Sequence, residues 1–243
     1  MLRMLKSFLM DWFIRQNFNP GWLGIFINPF YFARSGLYRA IKNLAFNLEG
    51  NLLDIGCGSK PYIKLFTVDS YIGLELENKA SRENKAADYY YDGNQFPFDD
   101  STFRSVLSNQ VLEHVFNPND FIQEANRVLE KDGLLLITVP FLCIEHEQPF
   151  DYARYSSFGL CALLEDNGFK VIEQHKIGAD ASTLFQLANF YIYGVIQKLP
   201  NSFKFFIIVA LMGPINLIGI IACIVFPKNP DFYLDQIVLA KKL

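Results

Sequence analysis

At the start of the chain Leu2, Leu5, Leu9, Trp12 and Phe13 recur at helical spacing, with Arg3, Lys6 and Arg15 largely on other faces. That pattern predicts an amphipathic helix. It does not read as a secretory signal, because Asp11 and Arg15 interrupt the apolar run and no small-residue cleavage site follows. Such a helix either packs on a domain or lies on a bilayer. A second helix is expected from about Phe30 to Leu48. It leads into an apolar strand, Leu52-Leu53-Asp54-Ile55, that runs into a glycine turn, Gly56-Cys57-Gly58. The next apolar run, Tyr71-Ile72-Gly73-Leu74, ends on Glu75. Later in the chain, Phe205 to Phe226 is 22 residues without a charge, bracketed by Lys204 and Lys228. Length alone would license a membrane-spanning helix. Gly213-Pro214 and Asn216 fall near its middle, where proline removes an internal helix hydrogen bond, so the segment is expected to break into two short helices.

Composition adds an apolar element to an ordinary domain. The 243 residues suit one large domain. A hydrophobic content of 51% with 24 phenylalanines is high for a soluble enzyme. Charge is unevenly spread: residues 1–49 carry six Lys/Arg against two acids, residues 198–243 carry five against two, and residues 50–197 carry 11 against 21. Basic, apolar ends around an acidic middle suit an anionic membrane surface. The acidic middle would repel phosphates, which argues against nucleic acid as a partner. Cys57, Cys143, Cys161 and Cys223 form no C-x-x-C pair, which points to a reducing cytosol. Cys57 reads as a small space-filler.

Candidate chemistry begins at the glycine turn. Gly56 and Gly58 allow a tight turn and close approach of backbone to a ligand. Glu75, 21 residues beyond Asp54, can accept two hydrogen bonds from the vicinal hydroxyls of a ribose. Together these indicate a nucleoside cofactor. The third glycine of a dinucleotide turn is missing, because Ser59-Lys60-Pro61 follows Gly58. Asp54, two residues before the first glycine, would repel a pyrophosphate but suit a cationic ligand.

The stretch Asp54-Ile55-Gly56-Cys57-Gly58 resembles the first motif, D-x-G-x-G, of the class I S-adenosylmethionine-dependent methyltransferases. Asp88 to Val115 (DYYYDGNQFPFDDSTFRSVLSNQVLEHV) is similar to that family's acid-glycine turn, Pro-Phe, Asp, and fourth strand before L-E-H. Glu124 to Pro140 resembles its next helix, Lys-Asp-Gly turn and fifth strand. The resemblance covers about residues 50–178 and implies an α/β fold: a Rossmann-like, seven-stranded, mostly parallel sheet with helices on both faces. Residues 1–49 are then an N-terminal helical segment, and residues 50–243 a methyltransferase domain with an apolar helical insertion over 182–228.

The resemblance also orders the site. Strand one delivers Asp54, Gly56, Cys57 and Gly58, and strand two delivers Glu75. The turn after strand three delivers Asp92 and Gly93 to the adenine amino group. Strand four delivers Asn109 and Gln110 near the methionine moiety. Strands six (Lys170–His175) and seven (Asp235–Ala240) pair in one sheet of this fold, so Phe205–Phe226 cannot cross a membrane once between them. A hairpin of two short helices, dipping into one leaflet or covering an apolar groove beside a helix from Ser182 to Leu199, meets that requirement.

Methyl transfer from a sulfonium is an in-line displacement, so holding the acceptor close and aligned supplies much of the rate. A hydroxyl acceptor also needs a positioned base, for which histidine is suited near neutral pH. His146 lies in the loop after strand five and is the expected base, with Asp151 orienting it or a substrate hydroxyl. His114 reads as structural, on a helix after strand four, and His175 belongs to strand six. Asp151 and Arg154 are also spaced to pair with each other and cap the helix beginning near Ser156-Ser157. The run His146 to Tyr155 resembles the H-x-x-x-x-D-Y-x-R-Y pattern of methyltransferases of surface-glycan and lipid-linked saccharide biosynthesis. No metal is expected, because the histidines are far apart in sequence and no H-x-x-x-H spacing occurs. The implied function is O-methylation of a sugar or lipid-linked saccharide at the cytoplasmic membrane face, by a peripheral or monotopic protein. The alternatives are methylation of an isoprenoid quinone or other lipid, and a non-catalytic membrane-associated binding module.

Overall fold

The computed structural model describes residues 16–243. The expected helix over Leu2–Phe13 lies outside them. By their internal contacts, the described residues form two compact units: residues 16–39, 142–144 and 177–234 in one, and residues 40–141, 145–176 and 235–243 in the other.

The second unit holds the sheet. Among the described residues, seven strands form one sheet in the order β3-β2-β1-β4-β5-β7-β6. They are β1 (Asn51–Ile55), β2 (Ser70–Leu76), β3 (Tyr89–Tyr91), β4 (Phe103–Asn109), β5 (Leu129–Pro140), β6 (Phe169–Ile177) and β7 (Asp235–Lys242). Strands β1 to β5 pair in parallel, and β7 runs antiparallel to β5. The central strands are apolar on both faces, as a sheet covered on both sides requires: Leu52, Leu53, Ile55, Leu135, Leu136 and Ile137 are all fully buried. Helix α3 (Lys79–Asn84) follows β2 and α5 (Ser157–Asp166) precedes β6, and the amphipathic α4 (Pro118–Val128) turns Phe121, Ile122, Ala125 and Val128 onto this core. Strand order reverses direction at β1 and β4, and in an open sheet that switch point is where a crevice forms at the carboxyl ends. The Rossmann-like architecture inferred from the sequence is the observed one.

The first unit is helical. It contains α1 (Gly24–Ile27), the start of α2 (Tyr31–Leu44), α6 (Ser182–Ile196) and α7 (Asn201–Val225). Here the expected hairpin within Phe205–Phe226 is corrected, because Pro214 does not reverse the chain. A wide π turn over Ile208–Met212 precedes it, absorbing the donor that proline lacks, and the helix runs on to Val225. The reversal comes earlier, between Ile196 and Asn201, so the hairpin is made by α6 and α7. The segment leaves the sheet at β6 and rejoins it at β7, and two antiparallel helices satisfy that return. Small residues on one face of α7 let it pack closely. A Cβ on Gly219 would fall 2.6 Å from Phe32 and 2.9 Å from Phe185. Amides staple the helices: Asn189 Nδ2 donates to Asn216 Oδ1 at 2.8 Å, and Asn216 Nδ2 donates to the Ile25 carbonyl at 2.7 Å. Gln186 accepts from the Phe32 amide at 3.0 Å and donates to the Pro29 carbonyl at 2.8 Å. The opposite face of α7 stays bare: Phe206, Ile221, Ile224 and Val225 are 60% exposed or more.

Candidate active site

The carboxyl end of β1 is shaped by two left-handed glycines. Gly56 has φ +71°, and a Cβ there would meet Val111 at 2.4 Å. Its amide and that of Cys57 donate back to the Leu74 carbonyl at 2.9 and 3.2 Å. Gly58, at φ +50°, has open space where a Cβ would stand, and its amide donates to Glu75 Oε2 at 2.8 Å. The other Glu75 oxygen accepts from the Leu76 amide at 3.1 Å. The acid is thus held at the end of β2, against the glycine turn. After β3, Asp92 accepts from the Asn94 backbone and side chain, both at 3.0 Å. Those bonds hold its carboxyl below the usual carboxylate range. Gln110, past the end of β4, is itself left-handed at φ +57°, fixed by donation of its amide to the Thr138 carbonyl at 3.0 Å. Sparsely populated backbone of this kind is held by surrounding structure and clusters at functional sites.

Gly56, Gly58, Glu75, Asp92, Gly93 and Gln110 line one cavity of about 830 Å³. That is at the upper end of ligand-pocket sizes, with room for a nucleoside cofactor and an acceptor together. His114, Phe116, Phe150 and Tyr152 also line it.

Three expected cofactor residues are turned elsewhere. Asp54 is 4% exposed, and the Tyr71 hydroxyl donates to its Oδ2 at 2.6 Å. Burial pushes its carboxyl up to about 7, against the opposing Tyr71 hydrogen bond. Cys57 is buried, and burial pushes its thiol up to about 12, the state of an inert space-filler. Asn109 accepts from the Thr138 hydroxyl at 2.8 Å, across to β5.

His146 and Asp151 are not in the cavity wall, but they adjoin it through His114. The two imidazoles meet edge-on at 4.8 Å between ring centroids. Asp151 is gripped by both outer nitrogens of Arg154, at 2.5 and 2.7 Å, and accepts from the His146 amide at 2.9 Å. The Arg154 bonds hold its carboxyl down at about 2. His146 Nδ1 stands 3.4 Å from the same carboxylate. Asp151 thus pairs with Arg154 and also faces His146, while Ser156, not Asp151, caps the helix that follows.

Two histidines lie closer together than their sequence separation suggests. His114 sits on a three-residue turn, Leu112–His114, and forms part of the cavity wall. His114 and His146 converge although 32 residues separate them, because the chain after β5 folds back onto that turn. The Tyr152 and Ala153 amides donate to the Glu113 carbonyl at 2.8 and 3.2 Å. Facing both rings is a residue the sequence did not single out. Glu113 is fully buried, neither carboxylate oxygen has a hydrogen-bond partner among the described residues, and burial pushes it up to about 8. Its Oε1 is 3.8 Å from His114 Nε2 and 4.0 Å from His146 Nε2. An acid next to His114 was a readable signal, but only the fold shows that both face inward. His175 stands apart, exposed on β6 and paired with Glu173.

Comparison with known proteins supports the same chemistry. Residues 53–137 match a family profile described as a methyltransferase domain. An uncharacterized protein of Methanocaldococcus jannaschii is 28% identical over 137 residues, covering 51% of this chain and 67% of that one. The ubiquinone biosynthesis O-methyltransferase of Pelagibacter ubique is 30% identical over 98 residues, covering 35% of this chain and 40% of that enzyme. The fold is similar to phosphoethanolamine N-methyltransferase 2 of Haemonchus contortus, solved with S-adenosylhomocysteine, at TM-score 0.56 and 17% identity over 95% of this chain and 56% of that one. It is also similar to the [4+2]-cyclase SpnF, at TM-score 0.54 and 17% identity over 86% and 82%. The methyltransferase-domain match over residues 53–137 and these neighbours support an S-adenosylmethionine-dependent methyltransferase with S-adenosylmethionine as its cofactor.

Proposed function

We propose that the protein O-methylates a sugar or lipid-linked saccharide while held at the cytoplasmic face of a membrane. The reading is carried by the exposed face of α7, where Phe206, Ile221, Ile224 and Val225 form an apolar surface between Lys204 and Lys228. Contiguous apolar surface of this kind marks a membrane or partner contact, and lysines at its ends suit anionic headgroups. Within the sheet unit, the glycine turn, Glu75, Asp92 and Gly93 are proposed to hold the cofactor, with Glu75 on the ribose hydroxyls. Asp54 and Cys57 support the turn from beneath, and Asn109 steadies Gln110 beside the methionine moiety. The acceptor hydroxyl is activated at the cluster of His114, His146 and Glu113, with Asp151 orienting His146. As the methyl carbon bonds to the acceptor oxygen, its bond to sulfur breaks and the hydroxyl proton passes to this cluster.

A prenyl quinone is the second acceptor class, favoured by the match to the Pelagibacter ubique enzyme. A non-catalytic binding module is disfavoured by the intact set of Glu75, Asp92 and glycine turn. The test offers methyl-labelled S-adenosylmethionine with vesicles containing either a prenyl-diphosphate-linked saccharide or a prenyl catechol. Label in the saccharide lipid supports the first reading and label in the catechol the second. Methylation of water-soluble sugars alone, with no gain from vesicles, contradicts membrane presentation.

A further inference from the structure

We propose that Glu113, His114 and His146 bind one first-row divalent cation with zinc-like donor preference, at the edge of the cofactor cavity. One donor atom from each residue lies within 4.8 Å of the others. Glu113 supplies the observation that demands a ligand: it is 0% exposed, and among the described residues both carboxylate oxygens lack hydrogen-bond partners. A buried carboxylate left in that state is costly, and a cation supplies the missing partner.

The imidazoles are oriented as metal ligands usually are. His114 Nδ1 is 2.8 Å from the Phe150 carbonyl. A carbonyl only accepts, so Nδ1 carries the proton and the lone pair sits on Nε2, the atom facing Glu113. His146 Nδ1 faces Asp151 at 3.4 Å, and Arg154 keeps that carboxylate ionised. Carboxylate or carbonyl partners on the second ring nitrogen fix the tautomer and raise ligand basicity. Atoms sharing a cation at about 2.0–2.2 Å stand roughly 3–3.5 Å apart. The two carboxylate–imidazole separations of 3.8 and 4.0 Å therefore need a contraction of about half an ångström, and the widest donor pair, within 4.8 Å, one of up to about 1.3 Å, which side-chain rotations can supply. Two imidazoles and one carboxylate suit zinc, cobalt or manganese better than calcium or magnesium.

His114 is in the cavity wall, so the cation's remaining positions point to where an acceptor oxygen can bind. There it lowers the pKa of a bound hydroxyl. The proton passes to water, and the resulting oxygen attacks the methyl carbon as the carbon–sulfur bond breaks. His146 then acts as a ligand, and Asp151 as its positioning residue. This use of the cation rests on the methyltransferase reading, whereas cation binding can be measured without it.

The experiment uses the full chain without a histidine tag, stripped with chelator and titrated with cobalt(II). The expected result is one cobalt per chain, with visible absorption that zinc displaces. Glu113→Gln keeps the shape and should weaken binding at least tenfold to a hundredfold. His146→Ala should do the same, and His175→Ala should leave binding unchanged. S-adenosylhomocysteine binding, followed in parallel, reports that each variant is folded. If Glu113→Gln is unfolded, His146→Ala carries the test. Wild-type protein that binds S-adenosylhomocysteine but no cobalt overturns the cation site and leaves the methyltransferase reading intact. Folded Glu113→Gln and His146→Ala that bind cobalt like wild type overturn it as well.

Discussion

In the helical unit the buried amides of Gln186, Asn189 and Asn216 each hold a neighbouring segment, and none of the three is ionisable. In the sheet unit Asp54 and Glu113 are buried acids, both pushed upward by burial, and among the described residues the Glu113 carboxylate has no hydrogen-bond partner. The first arrangement fixes how α6 and α7 meet when most of their surface is apolar and any register would bury similar area. The second stores electrostatic cost beside a cavity, where a ligand can relieve it. Buried polarity thus pairs segments in one unit and shifts two acids upward in the other.

Substitutions can break that contrast. The largest effect is expected in the sheet unit: His146→Ala should lower turnover by roughly 10²–10⁴-fold while S-adenosylhomocysteine affinity stays nearly constant. A rate within a few-fold of wild type would make His146 structural. In the helical unit, Gln186→Leu leaves the Phe32 and Ala33 amides without an acceptor, and should cost about 2–3 kcal/mol in denaturant unfolding. No loss would mean that apolar packing alone fixes the hairpin. The exposed face of α7 should respond differently. Ile221→Lys with Ile224→Lys should leave the fold intact but abolish flotation with anionic vesicles, and undiminished flotation would place the contact elsewhere.

The smallest effect sharpens the account of Asp54. Its folded pKa, about 7, is above the ordinary aspartate value of 3.8, so folding is favoured most where the group is protonated in both states. As pH rises from about 4 to about 7, the unfolded chain ionises while the folded one keeps its proton, and stability falls. Asp54→Asn keeps an acceptor for Tyr71 and removes that slope. In cofactor-free protein its stability relative to wild type should rise by on the order of 2 kcal/mol between pH 5 and pH 7. Parallel pH profiles would mean that Asp54 is ionised under the turn.

The sheet unit was the more legible of the two. The apolar strand before Gly56, the acid ending the next strand and the Asp92-Gly93 turn are local patterns, and the fold places Gly56, Glu75, Asp92 and Gly93 in one wall. What local pattern did not carry was closure. His114, Glu113 and His146 meet only because backbone bonds from Tyr152 and Ala153 draw the loop onto the Glu113 carbonyl. The reversal of the apolar segment was misplaced for a related reason. Proline marked a break at 214, but a π turn five residues long absorbs the missing donor, and the chain turns before Asn201 instead.

The central claim is that the wall around Glu75 holds S-adenosylmethionine by its ribose, and calorimetry with S-adenosylhomocysteine tests it most directly. Glu75→Ala removes a charge-assisted pair of hydrogen bonds and should weaken binding by about 2–4 kcal/mol, with the Asp54→Asn variant measured alongside as a folded reference. Unchanged affinity in Glu75→Ala would contradict the assignment.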